Sequence, residues 1–150
     1  MHSGECMSIV FSEFELRDLF IKSSDIRQVF RNPRNFDIDI AWKKEHRLGS
    51  GKKIDLIFNH KDRFIHLIEF KIYADHNAII QLYEYYTEFA DQYLSDRIIV
   101  YKLTIAAQYF SDDMMFFAHR LNIELVQVCP INKQKAKLNY LLFSNAKRLF

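Results

Sequence analysis

The chain has 150 residues, 49% of them hydrophobic and including 14 Phe and 8 Tyr, which suffices for one domain with a real core and excludes disorder. Its net charge of +2 is too small for a surface that is basic all over, so any phosphate-binding face must be a local patch. Only 3 Gly and 2 Pro argue against long linkers, no apolar run or secretory leader suggests a membrane, and Cys6 and Cys129 read as free thiols of a reducing, cytoplasmic compartment.

Residues 1–10 read as a flexible lead to a single domain spanning 1–150. Ser12-Glu13-Phe14-Glu15 fits a capping box, and Leu16, Leu19 and Phe20 form the apolar stripe of a short helix. Glu13 falls on the face of Leu16 and Phe20. It is either a first-turn acid favoured by the helix dipole or a carboxylate aimed at a site. The chain turns at Asn32-Pro33-Arg34-Asn35, and Phe36 to Trp42 then alternates as a half-buried strand that Lys43 to Arg47 extends. Asp37 and Asp39 lie on its polar face, where solvated carboxylates are a plainer reading than metal ligands.

Gly49-Ser50-Gly51 is the strongest turn signal, and Lys52 to Phe58 is the second strand. Alternation puts Ile54, Leu56 and Phe58 on one side and Lys53, Asp55 and Ile57 on the other. Asn59 to Asp62 connects to a third strand, Arg63 to Lys71. There Ile65, Leu67, Glu69 and Lys71 share a face opposite Phe64, His66, Ile68 and Phe70. Both faces are largely apolar, which predicts a central strand covered on both sides.

Asp75 is a candidate N-cap for a helix to about Leu94, with a stripe of Ile79, Leu82, Tyr83, Tyr86, Phe89 or Ala90, and Tyr93. Gln81 and Tyr85, four apart, sit together on a flanking face. Arg97 to Tyr101 is a compact buried strand. Ser111-Asp112-Asp113 opens a helix with Met114, Phe117, Ala118 and Leu121 inward, and Ile123 to Val128 is a further strand ending at Cys129-Pro130. This alternation predicts a parallel crossover beside the hairpin. The lysine-rich last twenty residues read as an edge strand or a helix, closing the fold or pairing with a second subunit.

Charges inside apolar strands need a reason. A hairpin of this length can bring Asp55 opposite the region of Glu69, depending on register. Hydrolysis of a phosphodiester needs a deprotonated nucleophile and neutralised phosphate charge, and a hard divalent cation held by oxygens supplies both. Asp55, Glu69 and the main-chain carbonyl of Phe70 are the expected metal ligands. Lys71, on the face of Glu69, would assist the attacking water or counter the phosphate. The plainer alternative is a same-face Glu69–Lys71 ion pair, which leaves the cost of desolvating three charges unexplained. Lys52, Lys53 and Arg63 are candidate phosphate contacts, though each is also an ordinary solvated charge.

The pattern of Asp55 followed by Glu69-Phe70-Lys71 resembles the signature of the PD-(D/E)XK nuclease superfamily, and Gln81-Leu82-Tyr83-Glu84-Tyr85 resembles the Q-x-x-x-Y motif of its RecB-like branch. Ser12 to Leu19 and Gly51-Lys52-Lys53-Ile54-Asp55-Leu56 resemble segments of NucS-type nuclease domains, in which Glu13 is the matching helix acid. The resemblance covers roughly Ser12 to Val128. It implies an α/β, restriction-endonuclease-like core, a mixed sheet of four to five strands flanked by helices in the order αβββαβ. It also implies Mg²⁺ or Mn²⁺ as cofactor, with Asp55, Glu69, Lys71, Glu13, Gln81 and Tyr85 as the catalytic set. NucS-type enzymes add an N-terminal domain for DNA binding and dimer formation, which has no counterpart here, so substrate preference does not carry over. The expected function is metal-dependent hydrolysis of nucleic acid, DNA before RNA, by a homodimer. The alternative is a non-cleaving module of the same fold that binds nucleic acid or protein.

Overall fold

Ser12 opens the first helix, α1 (Glu13–Lys22), through the capping box that its spacing predicts. Its hydroxyl accepts from Glu15 N–H at 3.1 Å, and the Glu15 carboxylate accepts from Ser12 N–H at 2.9 Å. The computed structural model describes residues 6–7, 11–23, 40–60, 63–93 and 96–142. Asp37 and Asp39, the turn at 32–35 and the start of the first predicted strand lie outside the described residues.

The strands are β1 (Ile40–Arg47), β2 (Lys53–His60), β3 (Phe64–Ala74), β4 (Ile99–Phe110), β5 (Glu124–Asn132) and β6 (Lys135–Leu142). Among the described residues the other helices are α2 (His76–Gln92), between β3 and β4, and α3 (Met114–Arg120), between β4 and β5. All six strands form one sheet in chain order. β1, β2 and β3 run antiparallel, β3, β4 and β5 parallel, and β6 returns antiparallel to β5. The mixed sheet and its parallel crossover agree with expectation, while the strand number exceeds the four to five expected. The sixth strand comes from the lysine-rich tail, where Lys135 and Lys137 point out and Ala136 and Leu138 are buried.

Two cores cover the two faces. Leu16, Leu19 and Phe20 of α1 pack with Leu56, Phe58, Ile68, Phe70, Ala106 and Val126. On the other face Ala78, Ile79, Leu82, Tyr85 and Phe89 of α2 and Met114 and Ala118 of α3 pack on Ile57, Leu67, Ile105 and Leu125. Fully burying side chains such as Phe20, Phe58, Phe70 and Leu82 stabilises the fold by roughly 1.5–3 kcal/mol each. β3 is therefore central and covered on both sides, as its apolar faces require.

Several expectations need correction. β4 runs to Phe110, far beyond Tyr101, because Lys102, Thr104 and Gln108 interrupt the apolar run yet are buried. The inward stripe of α2 is rotated from the expected one, with Tyr85 buried and Tyr83 and Tyr86 only partly so. In α3 only Met114 and Ala118 face inward, and Phe117 and Leu121 are exposed. Cys6 and Cys129 are joined in a disulfide, and Met7 N–H donates to the Pro130 carbonyl at 2.7 Å. Residues 6–7 are thus fastened to β5, and the argument from free thiols for a reducing compartment falls. No helix among the described residues is long and apolar enough to cross a membrane.

The β1–β2 turn is held against α2. Gly51 adopts φ +92, the left-handed region that glycine enters freely. Ser50 donates to Glu88 through both N–H (2.8 Å) and hydroxyl (2.7 Å), which lowers the Glu88 pKa. Beside the turn His46 is buried, 3.2 Å from the Tyr93 hydroxyl and edge-on to Phe89. Burial first, and then the Lys43 charge, push its pKa below the ordinary histidine value of 6.5. The unfolded chain therefore binds a proton there more readily than the folded one. Stability is complete above that ordinary value and falls as the pH drops through it toward the lowered folded one. Denaturant midpoints should decline between pH 7 and pH 5, and decline less in His46→Gln. Parallel pH curves for the two proteins would remove His46 as the cause.

Candidate functional site

The site is built where β2 and β3 part. Their register pairs Leu56 with Ile68 and Ile57 with Leu67, and one further step sets Asp55 opposite Glu69. Past Leu56 no ladder pair continues, and the side chain of Asp55 takes over, its Oδ2 accepting from Phe70 N–H at 2.8 Å. Opposite Asp55 on the other edge, Glu45 has φ +52 and the β1–β2 pairing skips it. The skipped pair breaks the alternation of β2. Ile54 joins Ile57 in the helix α2 core, rather than Leu56 and Phe58 as expected.

Glu69 is only 3% exposed, and its Oε1 has no hydrogen-bond partner. Its pKa is pushed up to about 10, first by burial, then by a hydrogen bond to Asp55 and by the Asp55 charge, with Glu13 adding to the rise and Lys71 opposing it. Glu13 itself is exposed at the rim, not inward with Leu16 and Phe20. Its pKa is raised, by partial burial first and by Asp55, with Lys71 offsetting. These four groups, drawn from α1, β2 and β3, thus feel one another's charge.

Gln81 Nε2 donates to the Tyr85 hydroxyl at 2.7 Å, so the i, i+4 pair meets as its spacing requires. Tyr85 is buried, and burial first and then the Glu69 charge raise its pKa. Lys71 is half-buried and lines an open cleft of about 370 Å³ with Asp75, Asn77, Gln81 and Glu84. A smaller cleft of about 60 Å³ on the α1 side is lined by Glu13, Phe14, Arg17, Glu45, Lys53, Asp55 and Phe70.

The expected phosphate contacts divide. Lys53 lines the small cleft, 4.0 Å from Glu45. Lys52 is exposed and lies 3.5 Å from Glu84, which lines the larger cleft. Arg63 stands at the hairpin end, beyond the His60–Phe64 pair and stacked on Phe64, and is not brought to the site. Sequence reasoning missed Arg17 and Glu45. Arg17 had a signal, since it lies one turn after Glu13 on the same helix.

Among the described residues no group of three or more His, Cys, Asp and Glu side chains is close enough to hold an ion. Two carboxylates meet at Asp55 and Glu69, one oxygen buried and unpartnered, which fits Mg²⁺, an ion commonly bound by one or two carboxylates and several waters.

No family model matches the chain, and no curated protein matches it. Two solved structures share its fold. One is an EndoMS–dsDNA complex, with TM-score 0.52 and 18% identity over 83% of this chain and 47% of that one. The other is a repair endonuclease from Pyrococcus abyssi, with TM-score 0.52 and 19% identity over 83% of this chain and 50% of that one. The chain spans about half the length of each, and at such identity the likeness is one of fold.

Proposed function

We propose that the chain is a divalent-metal-dependent nuclease of the PD-(D/E)XK type that hydrolyses phosphodiester bonds in DNA. The observation that carries this reading is the Asp55–Glu69 carboxylate pair at the parting of β2 and β3, with an unpartnered Glu69 oxygen beside Lys71. A buried carboxyl held at so high a pKa is unstable as an anion, and a cation between the two carboxylates would relieve both their repulsion and the desolvation of Glu69. Likeness in fold to a repair endonuclease and to a DNA-bound EndoMS supports the choice of substrate.

Asp55, Glu69 and the Phe70 carbonyl would hold Mg²⁺ or Mn²⁺. The ion would supply charge neutralisation at the phosphate and acidify water. Lys71 orients the attacking water from the larger cleft and balances phosphate charge. Glu13 stands at the rim as a further acid. The Gln81–Tyr85 pair fixes the α2 side of the site, and Lys52 and Lys53 meet the strand backbone. One domain of this size grips little duplex, so two copies act together.

A second reading, a module that binds without cutting, draws on the absence among the described residues of a three-carboxylate cluster. Incubation with single-stranded, duplex, flapped and branched DNA, and with RNA, in Mg²⁺, Mn²⁺ or EDTA decides between them. Cleavage in either metal and none in EDTA is expected. Binding without cleavage of any substrate would favour the module.

A further inference from the structure

The small cleft beside Asp55 holds a cation to which the site as described gives no task. Arg17 follows Glu13 by one helical turn, so both side chains stand on one face of α1. The Arg17 side chain is 10% exposed, and its Nε is buried without a hydrogen-bond partner. Its two ion pairs are longer than hydrogen bonds: Nη1 to Glu45 Oε2 at 3.8 Å and Nε to Asp18 Oδ1 at 3.9 Å. The guanidinium carbon also lies over the Phe14 ring, 4.9 Å from its centroid.

A guanidinium presents five N–H donors in a rigid planar fork. Burial of such a group with its donors so loosely paired is costly, and the cost is recovered when a ligand of matching shape arrives. The group that matches is a phosphate, which accepts the fork through two oxygens. Size agrees: at about 60 Å³ against about 370 Å³ for the larger cleft, the space admits an edge of a ligand rather than a whole nucleotide. Asp55 lines the same space, and Lys53 adds a second cation at its wall.

We propose that Arg17 is a phosphate clamp, binding a backbone phosphate of the nucleic-acid strand beside the Asp55–Glu69 carboxylates. This rests on the reading of the site as one that acts on DNA. On binding, the guanidinium exchanges its long pair with Glu45 for charge-assisted hydrogen bonds to phosphate oxygens. Glu45 holds the fork in place until then. A purely structural Arg17 would instead serve to tie α1 to β1 through Glu45.

Binding of a short labelled DNA duplex and of its single strand, measured by fluorescence anisotropy in EDTA across a salt series, separates these roles. Arg17→Met should weaken binding about 10-fold and reduce the slope of log affinity against log salt by about one. Arg17→Lys should keep the slope and recover part of the affinity, since it restores charge without the fork. If Arg17→Met does not fold, Arg17→Lys carries the test: weaker binding at an unchanged slope supports the clamp, and wild-type affinity overturns it. Glu45→Gln should bind at least as tightly as the wild type. Unchanged affinity and slope in a folded Arg17→Met overturn the clamp, as does a Glu45→Gln that loses as much as Arg17→Met, or a wild-type chain that binds neither DNA. Metal is absent throughout, so failure of the clamp is distinct from failure of cleavage in Mg²⁺ or Mn²⁺.

Discussion

Lys71→Ala should lower the rate of metal-dependent cleavage by about 10²- to 10⁴-fold while leaving the melting temperature close to that of the wild type. Lys71 is half-buried in the last third of β3, and no described side chain forms an ion pair with it within hydrogen-bonding reach. Its truncation therefore opens no core cavity. What it removes is the positive charge that opposes the raised pKa values of Glu69 and Glu13, and a cationic donor that lines the larger cleft. Two ways of losing activity follow, and the metal concentration separates them. Loss of a water-orienting group persists at saturating Mg²⁺. Loss of charge balance among the carboxylates appears as weaker metal dependence, because those groups then hold their protons harder. Cleavage by Lys71→Ala at the full wild-type rate would rule out the proposed role.

Glu124→Gln should destabilise the fold by about 3–5 kcal/mol, the usual cost of stripping one partner from a buried ion pair. Glu124 Oε2 lies 3.0 Å from Lys102 Nζ, with side chains 1% and 6% exposed. The parallel pairing of β4 and β5 sets Thr104 against Glu124, and the Thr104 hydroxyl donates to Glu124 Oε1 at 3.4 Å. His66 Nε2 lies 2.7 Å from the same hydroxyl. Burial, and then the charge of Glu124, push the Tyr101 pKa up. Neutralising Glu124 leaves an ammonium ion in the interior without its carboxylate. A paired Lys102→Met/Glu124→Leu variant should regain most of the loss, since apolar replacement of a whole buried pair is often neutral or stabilising. Urea midpoints of the two single variants and the double variant test this. A double variant no better than Glu124→Gln would mean that the polar network, rather than the charge, is what the core requires.

The local signals were legible because they act within a few residues. The capping box at Ser12, the Asp75 cap, which accepts from Asn77 N–H at 2.9 Å, and the turn at Gly51 all stand where their spacing puts them. The apolar strands β2 and β3 and the helix after them were equally plain, and with them the chain neighbours Glu69, Lys71, Gln81 and Tyr85. β4 was read short because Lys102 interrupts an apolar run, and only a carboxylate on another strand makes that lysine an interior residue. The same holds for Cys6 and Cys129, separated by 123 positions and joined by the fold.

By itself the sequence determined which residues bear charge within apolar strands, and in what order helix, hairpin and helix follow. Only the tertiary structure decided that Asp55 stands opposite Glu69, that Asp55 takes the Phe70 N–H, and that Glu13 and Arg17 reach the same cleft from α1. The reason is register. A slip of one residue between β2 and β3 keeps every local preference intact yet turns Asp55 to the opposite face. What selects one register is the burial of two cores at once, a property of the whole sheet that no stretch of chain carries alone.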